Sequence, residues 1–404
     1  MQIVTEMDLP EMPVERPSFA ADPMPYAEAA RKKHPWLAKF HKGYVIHGYQ
    51  ATKDVLAMDE KMFVNFEGVV EHFDAKGTDW GRFMVDILPT QSGPKHTRLR
   101  ASVAMAFTPR RANQTRPAMK KVISELLDEW APKGAFDFTE FAAHFPITVM
   151  CGLLGVSAAT VPRIHHALET QVEAMSLNRD LKPKLLEAYD ILWGFADNVV
   201  NERDKSGTVD DASLLDALIA CKNRGDLDDR ELRYMLMVLL LAGYDTSKNL
   251  LTMLTYTLIQ NPEMWEKCAQ DLSYCTKVVD EICRIAAIAS PYRRLGEEIQ
   301  YEGVLFPKDT VLFFAMPIAG CDPKVYADPL KFQPERVQDK DSRHLAFGRG
   351  IHICLGQHLA KAQIEEGIHL IAQRLRKPRV AGEVTWRPFP GIWGLRTLPI
   401  AFDA

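Results

Sequence analysis

The stretch HLAFGRGIHICLGQHL, His344 to Leu359, carries one cysteine, Cys354, in a glycine-rich approach to a helix. Leu355, Leu359, Ile364, Ile368, Ile371 and Leu375 recur at helical spacing, so a helix is expected to begin at the cysteine. Unpaired N–H groups and the positive dipole end at such a start favour a thiolate. Gly348, Gly350 and Gly356 let the backbone pass close to something flat or bulky. An inert buried thiol is the ordinary fate of a free cysteine. Zinc is a second reading, with His344, His352, Cys354 and His358 as ligands, but H-x7-H-x-C-x3-H matches none of the usual zinc spacings. A dinucleotide phosphate loop is excluded, because GRGIHI lacks the third glycine and no clear strand precedes it.

Outward from this loop, the chain is that of a soluble globular protein. Its 404 residues allow a large core, and 47% hydrophobic with 25% charged residues is ordinary composition. A net charge of -4 argues against nucleic-acid binding through bulk positive charge. The seven cysteines include no CxxC pair, which fits a reducing, cytoplasmic setting better than a disulfide framework. The N-terminus, MQIVTEMDLPEMPVERPSF, has neither a basic nor an apolar leader segment. The longest apolar run, Met235 to Gly243, is far too short to span a bilayer.

Helical periodicity or composition marks residues 116–130, 159–175, 183–204, 228–260, 262–289 and 355–375. The longest segment, Leu227 to Gln260, begins with a capping-box pattern at Asp228 and Glu231 and stops before Asn261-Pro262. If continuous it spans roughly 50 Å at 1.5 Å per residue. Strand signals are local, at Tyr44 to Tyr49 and in Glu297 to Met316. No strand–helix–strand rhythm runs through the chain, so a doubly wound sheet is not expected.

A third reading of Cys354 is a thiolate ligand to haem iron. FGRGIHICLG, Phe347 to Gly356, resembles the haem-ligand loop of the cytochrome P450 family, FGxGxHxCxG, at every fixed position. The resemblance implies a mainly α fold with a smaller β-rich region, about 40–65 and 295–316, in one unit spanning 1–404. Haem b (iron protoporphyrin IX) would lie between the long central helix and the cysteine-loop helix. Cys354 would be its axial ligand, and Phe347, Gly348, His352 and Gly356 would surround it.

Further segments resemble the family in order along the chain. EICR places Glu281 and Arg284 one turn apart, and FQPER supplies Arg336; the implied role is a buried triad that holds the cysteine loop in register. AGYDTS, Ala242 to Ser247, resembles the oxygen groove. There the helix opens over the iron, Ala242 and Gly243 border the cofactor, and Asp245 and Thr246 relay protons to dioxygen. HTRLR puts His96 and Arg100 on one helix face toward a haem propionate, with Arg294 as a second partner and neighbouring Arg293 as its alternative. AGCDP, Ala319 to Pro323, departs from the usual ANRDP at Gly320 and Cys321.

The implied reaction inserts one atom of O2 into an organic substrate, by hydroxylation or O-dealkylation. Its electrons would come from NAD(P)H through a ferredoxin reductase and a ferredoxin, with Arg110, Arg111, Arg343 and Arg349 as a candidate docking face. Val238, Leu241, Ala242, Ala289 and Ile392, with part of Trp80 to Leu88, are expected to line a pocket for a small or medium apolar molecule. A monomer without nucleic-acid or membrane partners is expected. A peroxide-driven haem-thiolate enzyme and a non-catalytic haem protein are the competing functions.

Overall fold

The computed structural model describes residues 1–207, 213–337 and 341–403. Helices dominate, and the longest runs from Asp229 to Ile259. Its expected capping box is present: the Glu231 N–H donates to Asp228 Oδ1 at 2.7 Å, and the Asp228 N–H donates to Glu231 Oε2 at 3.0 Å. Each satisfied donor removes an orphan from the helix start, and such a cap is worth about 1 kcal/mol.

One expected helix needs correction, and another helix was not expected. The segment 262–289 is not one helix. It breaks into Pro262–Gln270 and Leu272–Ile285 because Asp271 turns extended and caps the second helix through Ser273. Residues beyond Ile285 leave the helix, and Ala289–Ser290 form a short strand against Gly391–Ile392. The helix Phe138–Leu154 gave no periodic signal, since almost all of its faces are buried and Pro146 lies inside it. Amphipathic periodicity exists only where one face meets water. This helix packs across the long one, where a Cβ on Gly243 would come within 2.8 Å of Met150 Cγ and Sδ.

The β-rich part is larger than expected. A five-stranded sheet runs in the order Leu37–Phe40, Gly43–Ile46, Val311–Phe314, Tyr292–Leu295, Met62–Val64. Only the Gly43–Ile46 and Val311–Phe314 pair is parallel. Gly43 is required there, because a Cβ would fall 2.2 Å from the Val311 carbonyl oxygen. The expected strand at Tyr44 to Tyr49 stops at Ile46; Tyr49 already starts a helix, its N–H donating to Asp322 Oδ2 at 2.8 Å. A second sheet joins Arg376–Val380, Pro399–Asp403 and Ala135–Asp137, and so adds C-terminal strands that were not expected. Apolar side chains gather in one large cluster among the helices and a smaller one around the five-stranded sheet. The cysteine loop lies where these two clusters meet, with Leu345 in the smaller and Leu355 packed against the larger.

Candidate active site

The cysteine loop is shaped by its own backbone. Gly348 and Gly350 hold φ of 71° and 74°, where residues with a Cβ are strained. The Gly348 N–H donates to the Leu345 carbonyl and the Cys354 N–H to the Phe347 carbonyl, both at 2.8 Å. Gly350 also needs the space: a Cβ would meet Asp59 Cβ at 2.7 Å. Helix Gln357–Arg374 follows directly, with Gly356 as its N-cap.

Burial pushes the Cys354 thiol up, and the Gly356 N–H and Arg100 oppose that shift without overcoming it. The helix start therefore does not by itself make the thiolate that the sequence suggested. A bound metal cation would, since coordination deprotonates a thiol outright. Zinc is not supported: no cluster of three or more His, Cys, Asp or Glu suited to a metal ion occurs among the described residues.

Cys354 borders a cavity of about 230 Å³ whose opposite wall is the long helix. Val238, Leu239, Ala242, Gly243 and Thr246 form that wall, while Leu88, Phe107 and Met150 close the sides. His96, Arg100 and His352 stand at one end. The His96 and His352 rings meet edge to face at 4.7 Å. Burial pushes His352 down to about 4 and also lowers His96, so both are neutral donors near pH 7. A thiol on one wall, a small-residue helix on the other and donors at one end suit a flat, apolar ring system that carries carboxylates. That arrangement fits a haem.

Arginine 294 is a correction. Its side chain is exposed and pairs with Glu67 at 3.2 Å and Asp309 at 3.9 Å. Arg293 is the buried one, bonded through Nε to Asp59 Oδ1 at 3.0 Å. Strand alternation carried the signal: Arg293 shares a face with buried Leu295, and Arg294 points the other way. Arg100 donates to the Ile353 carbonyl at 2.8 Å and so braces the loop itself.

The triad assembles as the resemblance implied. Glu281 accepts from Arg284 Nε at 2.9 Å and Nη2 at 2.7 Å, from Arg336 Nε at 3.3 Å and from the Gln333 N–H at 3.0 Å. Arg284 also donates to the carbonyls of Gly320, Pro329 and Lys331, and Arg336 to those of Ala327, Asp328 and Lys331. The triad reaches the cysteine loop indirectly. Both guanidiniums lie over the Tyr326 ring, at 5.0 and 5.9 Å, and Tyr326 donates to the Ser342 carbonyl at 2.8 Å. The departure in AGCDP is explained here. A Cβ at Gly320 would lie 1.9 Å from the Arg284 carbonyl oxygen. Arg31, from the N-terminal region, donates to the Ile318 carbonyl at 2.9 Å and adds a guanidinium beside Cys321 and Asp322.

The long helix is continuous from Asp229 to Ile259, so the expected opening is not present as a break. Thr246 lines the cavity, and its Oγ1 donates to the Ala242 carbonyl at 2.7 Å. Asp245 does not face the cavity with it. Its carboxylate is buried and accepts from Arg387 Nη1 at 2.8 and 2.9 Å. It borders a separate polar cleft of about 520 Å³ with His144, His165, Glu169 and Lys248. Adjacent residues on a helix point about 100° apart, which is why the pair is split.

Of the expected pocket residues, Val238 and Ala242 line the cavity. Leu241 is half-buried against the helical core, and Leu239 takes its place in the wall. Ala289 lies in the short strand opposite Ile392, and Ile392 lines a surface groove with Met175 and Leu181. Leu88 is the part of Trp80 to Leu88 that reaches the cavity. Asp59, Arg387 and Phe107 were missed.

Comparison with known proteins agrees with this geometry. A sequence profile described as Cytochrome P450 matches residues 35–379. The chain is 32% identical to luteothin monooxygenase of Streptomyces thioluteus, covering 98% of this chain and 97% of that protein. It is 31% identical to 6-deoxyerythronolide B hydroxylase of Saccharopolyspora erythraea, covering 89% and 90%. The crystal structure of CalO2 superposes with a TM-score of 0.88 over 98% of this chain and 99% of that one, at 21% identity, which shows the shared fold. The chain belongs to the cytochrome P450 family of haem-thiolate monooxygenases.

Proposed function

We propose that the enzyme inserts one atom of O2 into a C–H bond of a small or medium apolar molecule, by hydroxylation or O-dealkylation. The observation that carries this reading is the placement of Cys354 across an apolar cavity from Ala242, Gly243 and Thr246, with His96, Arg100 and His352 at its end. A bound haem with a thiolate ligand supplies the electron density that favours O–O cleavage. In this reading the group is haem b, held by Cys354 and by the donors His96, Arg100, His352 and Arg293 at its carboxylates.

The remaining work falls to the chain. Val238, Leu239, Leu88 and Met150 exclude water and hold an apolar substrate. Thr246 holds a hydroxyl proton at the cavity wall, its Oγ1 donating to the Ala242 carbonyl until something in the cavity offers a better acceptor. Asp245 receives protons from the polar cleft and passes them toward Thr246 once Arg387 releases it. Electrons come from NAD(P)H through a ferredoxin reductase and a ferredoxin that docks on the arginine-bearing face near Arg110, Arg111, Arg343 and Arg349. The enzyme works as a cytoplasmic monomer in this proposal. No helix is long and apolar enough to cross a membrane among the described residues.

Relatives named for luteothin and for 6-deoxyerythronolide B support an apolar natural product of medium size as substrate. A compound library scored by the iron spin-state shift, followed by turnover with ferredoxin, reductase and NADH, tests this. An oxygenated product in step with NADH use is expected; binders with no product under those conditions would contradict it. A peroxide-driven reaction is the second reading, and the Asp245–Arg387 pair favours it, since the acid is turned from the cavity. Turnover with peroxide but never with the electron-transfer partners would establish that alternative.

A further inference from the structure

We infer that Asp59 is the positioning residue that sets the charge and aim of the haem-carboxylate arginine and ties the cysteine loop to the five-stranded sheet; this rests on the haem-thiolate reading above. Asp59 is buried at 1% exposure and opens the turn Asp59–Lys61 just before strand Met62–Val64. That strand pairs antiparallel with Tyr292–Leu295, Met62 opposite Leu295 and Val64 opposite Arg293. The register sets the turn beside Gly296, whose N–H donates to the Lys61 carbonyl at 2.8 Å, and the Arg293 side chain reaches Asp59 from the same strand.

Both carboxylate oxygens are in use. Oδ1 accepts from Arg293 Nε at 3.0 Å, and Oδ2 accepts from the His352 backbone N–H at 3.1 Å. One side chain therefore grips the inward arginine and the loop residue two positions before the thiolate ligand. Arg293 Nη1 donates to its own Tyr292 carbonyl at 3.1 Å. Nη2 is left to reach a carboxylate at the cavity end. Gly350 completes the fit, since any Cβ there would strike Asp59. The charge follows from the same geometry: Asp59 neutralises Arg293 in place, so the pair presents a directed donor rather than a free cation. Two haem carboxylates then meet one compensated guanidinium and the donors of Arg100, His96 and His352. A buried charge left without such a partner is costly.

The test uses the haem-loaded protein and its haem-free form. Asp59→Asn keeps the shape, removes the charge and turns one acceptor into a donor. In the haem-free form, His352 amide exchange is expected to quicken by about tenfold or more, the loss of one charge-assisted hydrogen bond. In the loaded form, haem release to a scavenger protein is expected to quicken by about tenfold on the same basis. The iron reduction potential is expected to move upward, because a nearby negative charge is gone. Arg293→Lys, which keeps a cation but lacks Nε, is expected to quicken release as well. Unchanged exchange, release and potential in Asp59→Asn would overturn the proposal. Faster exchange with release and potential unchanged would also overturn it, since Asp59 would then brace the loop alone. Failure of the underlying reading looks different: wild-type protein would lack the red-shifted carbon monoxide band.

Discussion

The carboxylates of Glu281 and Asp245 are both buried against guanidiniums, and the two groups are built for different ends. Glu281 gathers two arginines and a backbone N–H, and the two arginines make six further bonds to five carbonyls, that of Lys331 being shared. Asp245 has one guanidinium nitrogen, from Arg387, and borders a cleft of about 520 Å³. In the first group Glu281 and Arg284 are fully buried, and every N–H of Arg284 has a partner. The second can exchange its partner for water at modest cost. Burial alone does not separate a lock from a latch; the number of satisfied donors and the nearness of solvent do.

Breaking the lock has the largest expected effect. Glu281→Gln strands Arg284 and Arg336 and should cost about 3–5 kcal/mol. Yield of haem-loaded protein and the urea midpoint measure this, and a variant as stable as the parent would show that the triad is not a lock. Gly320→Ala tests the same region through shape. A Cβ 1.9 Å from the Arg284 carbonyl oxygen forces the backbone apart, at about 1–3 kcal/mol. An unchanged midpoint would mean that the segment yields freely.

Opening the latch should matter less to stability and more to turnover. Arg387→Leu leaves Asp245 to the cleft water, and a loss of about 1–3 kcal/mol is expected, with the ratio of product to NADH altered. A loss as large as that of Glu281→Gln would erase the distinction between the two groups. Thr246→Ala removes only the bond to the Ala242 carbonyl, for less than about 1.5 kcal/mol. It should still consume NADH while releasing peroxide. Coupling at the parent's level would remove Thr246 from the proposed relay.

The same contrast explains what could be read from the chain. The cysteine loop was legible through its motif of glycines at fixed spacing. The triad was legible only through the family resemblance, since Glu281 and Arg284 one helical turn apart say little alone and Arg336 lies 55 positions from Glu281. The capping box of the long helix was legible because its geometry is local. Arg293 was within reach too, through alternation with Leu295. Asp245 and Thr246 share a motif, yet neighbours on a helix diverge, so adjacency said nothing about a shared cavity. Its partner Arg387 lies 142 positions away, and Asp59 meets His352 across 293. Such contacts are set by sheet register and helix packing, which leave no spacing to find. Helix Phe138–Leu154 escaped because burial on nearly all sides erased its period.

The most direct test of the central claim is X-ray absorption at the iron of the haem-loaded protein. A sulfur neighbour at the metal is expected in the parent and should vanish in Cys354→Ala, together with the red-shifted carbon monoxide band. A parent iron surrounded by nitrogen and oxygen alone would contradict the assignment of Cys354 and the oxygen chemistry derived from it.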